Sequence, residues 1–249
     1  MSTLEIIGLV GMPDVTKNDN IGKLIVQNMK KNKIILQNGD IFVITQKIVS
    51  KSENRIVNLT KIISSRKATY LGKKLNKNRK EVQLILDESH HVIKSKNNIL
   101  ITETKHGLIC ANSGIDTSNL SKGNYSLLPK NPNKSAKKIQ NYIEKSSGKH
   151  IAVIISDTFG RPFRRGQTDV AIGLSGLKPL KDYRGKTDKY GNDLKITLIA
   201  IADELASAAE LVKGKTNEIP IVLIRGYSYQ KGNYTANSLI MSHKENLFL

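Results

Sequence analysis

The stretch "HIAVIISDTFGRPFRRGQTDVAIG", His150 to Gly173, carries a β-branched apolar run and then turns polar at Asp157 and Thr158. An uninterrupted run rich in Ile and Val reads as a strand buried on both faces, here ending on Asp157. That end should open to solvent, where mixed-sheet proteins place function. Asp157 and Thr158 offer a carboxylate and a hydroxyl side by side, a pairing that suits Mg²⁺. Arg161, Arg164 and Arg165 follow among glycines, presenting planar forks for phosphate or carboxylate oxygens. The alternative is a structural cluster in which the arginines pair with Asp169, Asp182 and Asp188.

Working outward, "LEIIGLV" (4–10), "DIFVIT" (40–45), "NNILITET" (97–104), "LKITLIA" (194–200) and "IPIVLIRG" (219–226) read as further strands. Helical spacing appears at Ile21, Leu24, Ile25 and Met29, with Asp19 as a plausible cap. It recurs at Val82, Ile85, Leu86 and His90, and at Ile139, Tyr142 and Ile143, where a cap near Asn133 or Ser135 and a stop at Gly148 are expected. A last helix places Leu205, Ala208, Ala209 and Val212 on one face and ends at Gly214. Strands and helices mix irregularly, with no repeat and no Pro/Gly/Ser-rich linker. The expected class is α+β, with mixed sheets and flanking helices.

The chain has 249 residues, 39% hydrophobic and 24% charged, which fits a soluble globular protein. It offers no apolar stretch of the ~18 residues a membrane span needs, and its first residues lack the pattern of a secretory signal. The single cysteine, Cys110, excludes an intrachain disulfide, reads as a small buried hydrophobe, and fits a reducing cytoplasm. The formal net charge is +19, and residues 47–80 carry eleven Lys/Arg against one acid, Glu53. Such a surface attracts polyanions. A nucleic-acid-binding protein is one reading, opposed by 5% aromatics, no Trp and no recognised nucleic-acid motif.

Two more places could hold chemistry. Lys47 and Lys51 stand four residues apart, so a helix would put both ammonium groups on one face, where a phosphate would relieve their repulsion. In "CANSGIDTSNL" (110–120), Asn112, Asp116, Ser118 and Asn119 crowd Gly114, an oxygen-rich turn suited to a hard cation or to a plain Asx turn. Of the histidines at 90, 91, 106, 150 and 243, only His106 adjoins a candidate site. No Walker loop, nucleophile elbow or zinc-type Cys/His set occurs.

Five blocks in order, "DIFVITQKIVSKSENRIV", "TETKHGLICANSGIDTSNL", "SDTFGRPFRRGQTDVAIG", "DYRGKTDKYGNDLKIT" and "ADELASAAELVKG", closely resemble the coenzyme F420-0:L-glutamate ligases. The likeness runs from about Gly8 to Gly226. It implies an unusual α+β fold, a homodimer, and γ-linked addition of L-glutamate to coenzyme F420-0 with GTP. It also implies a divalent cation (Mg²⁺ or Mn²⁺) and a monovalent one (K⁺). Some bacterial relatives carry an added flavin-binding reductase domain; this chain is too short for one, so a single ligase unit over 1–249, undivided or of two joined subdomains, is expected. By the resemblance, Asp116, Asp157 and Thr158 hold metal. Met12, Pro13, Asp14, Val15, Gln46, Lys47, Lys51 and Asn119 contact nucleotide, as does the segment Lys213, Gly214, Lys215, Thr216, Asn217, Glu218 and Ile219. Arg161, Arg164 and Arg165 would orient the coenzyme or glutamate. The pattern departs at Lys215, where some relatives carry a metal-contacting acid; a protonated lysine cannot ligate a cation, leaving Glu218 or another arrangement. A ligase acting on another acidic acceptor is the nearest rival.

Overall fold

A computed structural model describes residues 3–242 and 244–246; His243 lies outside them. The apolar runs form strands β1 (Glu5–Gly8), β2 (Ile41–Thr45), β3 (Ala152–Arg161), β4 (Arg164–Leu177), β5 (Ile221–Arg225) and β6 (Lys231–Gly232) of one sheet. Their spatial order is β1-β5-β2-β3-β4-β6. Only the central β2–β3 pair is parallel; its neighbours run antiparallel, giving a mixed sheet of the α+β class.

The helices are α1 (Ile21–Lys31), α2 (Gln46–Ser52), α3 (Arg66–Leu75), α4 (Arg79–Asp87), α5 (Pro132–Ser147) and α6 (Ile201–Lys213). Side chains alternate across the sheet. Phe42, Ile44, Val153, Ile155, Ile221 and Leu223 pack with Ile25 of α1 and Ile143 of α5. Ile41, Val43, Ile154, Val222 and Ile224 pack with Leu205, Ala206 and Ala209 of α6. Both faces are covered, which is why these strands read as continuous apolar runs. Burying one such Ile contributes about 1.5–3 kcal/mol. Gly173 is required where α5 meets β4: a Cβ there would stand 2.4 Å from the Pro132 backbone. A smaller unit packs α3 and α4 against the hairpin 89–104 around Ala68, Leu75, Val82, Ile85 and Leu100.

Several local expectations are corrected. Asn20, not Asp19, caps α1, its Oδ1 accepting from the Lys23 N–H at 3.1 Å. Asp19 instead closes the preceding turn by accepting from the Thr16 N–H and hydroxyl. Asn131 caps α5 because Pro132 fits the first helical turn and lacks the N–H that would go unpaired. Asn133, freed from capping, accepts from the N–H groups of Leu174 and Ala236 and fastens α5 to β4. His90 belongs to a strand (Ser89–Lys96), not to α4. Asn97 and Asn98, both at positive φ, make the two-residue turn that pairs it with Ile99–Thr104. "LKITLIA" is not one strand: Leu194 pairs with Lys186 and Leu198–Ile199 with Lys181–Asp182, each in a two-residue ladder, and Ile196 between them is 90% exposed.

Candidate active site

The parallel pairing fixes the site. Thr45 lies opposite Ser156, so the chain leaves β2 as α2 beside the point where β3 passes Asp157 and Thr158. Lys47 and Lys51 share a face of α2, one turn apart. The strand does not end on Asp157. It continues to Arg161 and turns into β4, so Asp157 and Thr158 stand mid-strand at the margin of the core. A register shift opposite Ile155 and Ser156 leaves Ile172 unpaired as a bulge beside the site. Ser156 and Thr158 both donate to Asp169, at 2.8 and 2.6 Å, so they share one face. Alternation sends Asp157 to the other, and the expected side-by-side pairing of Asp157 with Thr158 gives way to opposed orientations.

These elements enclose a cleft of about 920 Å³. Met12, Pro13, Asp14, Val15, Gln46, Lys47, Lys51, Asp116, Asn119, Asp157, Thr158, Lys213, Gly214, Lys215, Thr216, Glu218 and Ile219 all line it. Asn217 does not: its amide turns back to the Val212 carbonyl. The three arginines are also outside the lining, on the exposed tip of the β3–β4 hairpin. Arg161 donates to the carbonyls of Arg165 and Gly166. Their expected alternative partners are taken elsewhere: Asp169 by Lys213, Asp182 by Arg184, and Asp188 by Asn192 and backbone N–H groups.

On one side of Asp157, Lys47 joins Asp116 at 2.6 Å and also donates to Ser118. Burial works against the Asp116 charge, but Lys47 and the Ser118 N–H and hydroxyl outweigh it and hold the carboxyl below its ordinary range. On the other side, Lys213 is buried against Asp169, with Ser156 Oγ at 3.1 Å and Glu210 at 3.3 Å. There too burial opposes the charge, and Lys213 prevails, lowering the Asp169 carboxyl. Asp157 has only the Thr158 N–H in its favour besides the nearby Lys47. Burial, then the Asp169 and Asp116 charges, push it up to about 7. Cys110 forms part of the cleft wall as a buried thiol, pushed up to about 12 by burial and by Asp157. His106 lies outside the lining, its Nε2 at 2.9 Å from the Pro129 carbonyl oxygen.

Asp157, destabilised as an anion between two other carboxylates, has the environment a divalent cation would relieve. No cluster of three His, Cys, Asp or Glu side chains able to hold a metal occurs among the described residues. The donor set fits Mg²⁺ or Mn²⁺ nonetheless, since such ions are bound through one or two carboxylates with substrate phosphates completing the shell.

Sequence reasoning missed Asp169 and Glu210 as members of this arrangement. The signal was the i, i+3 spacing of Glu210 and Lys213 on α6, which faces β4.

This charged cleft lies beside the parallel β2–β3 pair, where α2 leaves β2, and its mixed lysines and carboxylates suit anionic reactants. The chain belongs to the F420-0:gamma-glutamyl ligase family, whose profile matches residues 10–226. It is 47% identical over 230 residues to the coenzyme F420:L-glutamate ligase of Methanocaldococcus jannaschii, covering 92% of this chain and 90% of that one. It is 43% identical to the protein of the same name from Methanothermobacter thermautotrophicus, over 91% of this chain and 90% of that one. With that from Methanococcus maripaludis it shares 44% identity, over 98% and 97% of the two chains.

Proposed function

We propose that this chain joins L-glutamate to coenzyme F420-0 by a γ-linked amide, driven by GTP. A free carboxylate resists amide formation because oxide is a poor leaving group. In the proposed route a carboxylate oxygen of the coenzyme attacks the γ-phosphorus and GDP departs. The glutamate amine then attacks the acyl carbon of the mixed anhydride, phosphate leaves and the amine loses a proton. Phosphoryl transfer asks a protein mainly for positioning and charge neutralisation. Asp116 and Asp157 would hold the divalent cation, which neutralises phosphate oxygens when bound. Lys51, for which no ion pair occurs among the described residues, would meet a phosphate in this reading, and the Met12–Val15 loop and the Lys213–Ile219 segment, Asn217 apart, border the same cleft.

The observation that carries this reading is Asp157, a carboxylate held at an unfavourable charge state in a cleft lined by four lysines and three other acids. The acceptor and amino acid come from the family. Homodimerisation and a monovalent cation belong to the proposal on the strength of the resemblance alone, and residence in the cytoplasm on that of the single cysteine. No helix among the described residues is long and apolar enough to cross a membrane.

The deciding experiment incubates the purified chain with F420-0, L-glutamate, GTP and Mn²⁺ and reads product mass. A gain of one or more glutamyl residues with release of GDP is expected. Release of ADP from ATP instead, or glutamyl transfer only to a different acidic acceptor, would overturn the assignment.

A further inference from the structure

Lys215 follows α6 directly across Gly214, whose backbone (φ 57°, ψ −170°) is one that only glycine adopts without strain. That turn folds the chain back over the helix end. The Lys215 ammonium reaches Thr158 Oγ1 at 2.6 Å, Glu210 Oε1 at 2.7 Å and Asp169 Oδ1 at 3.6 Å. Thr158 donates its own proton to Asp169, so its oxygen is free to accept from Lys215.

Lys213 and Lys215 therefore meet the same two carboxylates from opposite sides. The Lys213 side chain is 7% exposed and seals Asp169 within the protein. Lys215 is 59% exposed and borders the cleft. Together the two lysines balance Asp169 and Glu210. Without Lys215 the group would carry a net negative charge, with Thr158 Oγ1, Asp169 Oδ1 and Glu210 Oε1 left around the space its ammonium holds, the oxygen chemistry that collects cations. With it, an added metal ion would face two ammonium groups at close range.

We propose that Lys215 is a tethered cation. Its ammonium occupies the place a second bound ion would take between Thr158, Glu210 and Asp169, and supplies positive charge there without dependence on dissolved metal. Two of its N–H groups are used by Thr158 and Glu210. The third is left for Asp169 or for an anionic oxygen of a reactant. This inference builds on the reading of the cleft as a metal-assisted phosphoryl-transfer site, and the test separates the two.

Mn²⁺ is titrated into the full chain, with free ion followed by electron paramagnetic resonance, for wild type, Lys215→Gln, Lys215→Arg and Asp157→Asn. Because Lys215 is exposed, the glutamine variant should melt as a folded protein, which circular dichroism verifies. Lys215→Gln is expected to bind about one additional Mn²⁺ per chain, and Lys215→Arg none, since the arginine keeps the charge. The extra ion should persist when Lys215→Gln is combined with Asp157→Asn. No gain in Lys215→Gln, an equal gain in Lys215→Arg, or loss of the extra ion in the double variant would overturn the inference. If Asp157→Asn alone leaves Mn²⁺ binding intact while Lys215→Gln gains an ion, the two-aspartate reading fails and the tethered cation stands.

Discussion

Two lysine–carboxylate pairs flank Asp157, and they differ in one respect. Lys213 and Asp169 have side chains 7% and 1% exposed, while Lys47 and Asp116 are 14% and 43% exposed. Ser156 and Thr158 hydrogen-bond to the inner pair, and Glu210 adds a second ion pair to Lys213 at 3.3 Å. The outer pair joins a helix to a distant turn, with its carboxylate open to solvent. Burial makes the first a structural joint and leaves the second able to exchange partners. The same two residue types thus serve different ends according to depth.

The sharpest test of this contrast is to break each pair by the same substitution. Lys213→Met removes the buried partner of Asp169, leaving it Lys215 at 3.6 Å and two hydroxyls, and is expected to cost about 3 kcal/mol of stability, read by chemical denaturation. Lys47→Met should cost less than about 1 kcal/mol, as befits a pair open to solvent. Equal losses would erase the distinction between joint and working site.

A pH-dependent effect is expected at the carboxylate between the pairs. In the metal-free protein Asp157 keeps its proton to about pH 7, whereas an ordinary aspartate releases it near 3.8. The folded state binds more protons in that window, so the Asp157 contribution favours folding at low pH and is lost as pH rises toward 7. Asp157→Asn should therefore melt higher than wild type above pH 7 without metal, with the gap closing toward pH 4. A constant gap would show that the carboxylate is ionised throughout.

The smallest effect is expected furthest from both pairs. Arg164→Ala and Arg165→Ala, on the exposed hairpin tip, should each change stability by no more than about 0.5 kcal/mol. A large fall in turnover at unchanged stability would show that the hairpin reaches the reactants and that the cleft extends beyond its present lining.

Much of the sheet was legible because β2, β3 and β5 are buried on both faces and so appear as unbroken apolar runs. α6 and its Gly214 stop were legible for the complementary reason, an apolar stripe with a glycine at its end. The outer part of the β3–β4 hairpin was not, because Phe159 to Thr168 leaves the core and is held by strand pairing, which leaves no apolar alternation. His90 fell on the helical stripe by spacing, yet the Asn97–Asn98 turn claimed it for a strand. At the site, the Lys47–Lys51 spacing was readable on elementary grounds. Most other cleft residues were indicated only by family likeness. Asp169 was weighed as an arginine partner, since nothing local announces that α6 will deliver Lys213 to it.

The cleft and the exterior carry different ledgers of charge. The chain as a whole holds an excess of +19, yet the cleft lining has four lysines and four acids. Anionic molecules are thus drawn in from a distance by a field that fades at its destination. Capture should slow as ionic strength rises, while departure of an anionic product meets no deep electrostatic well, a gradient that favours traffic over storage.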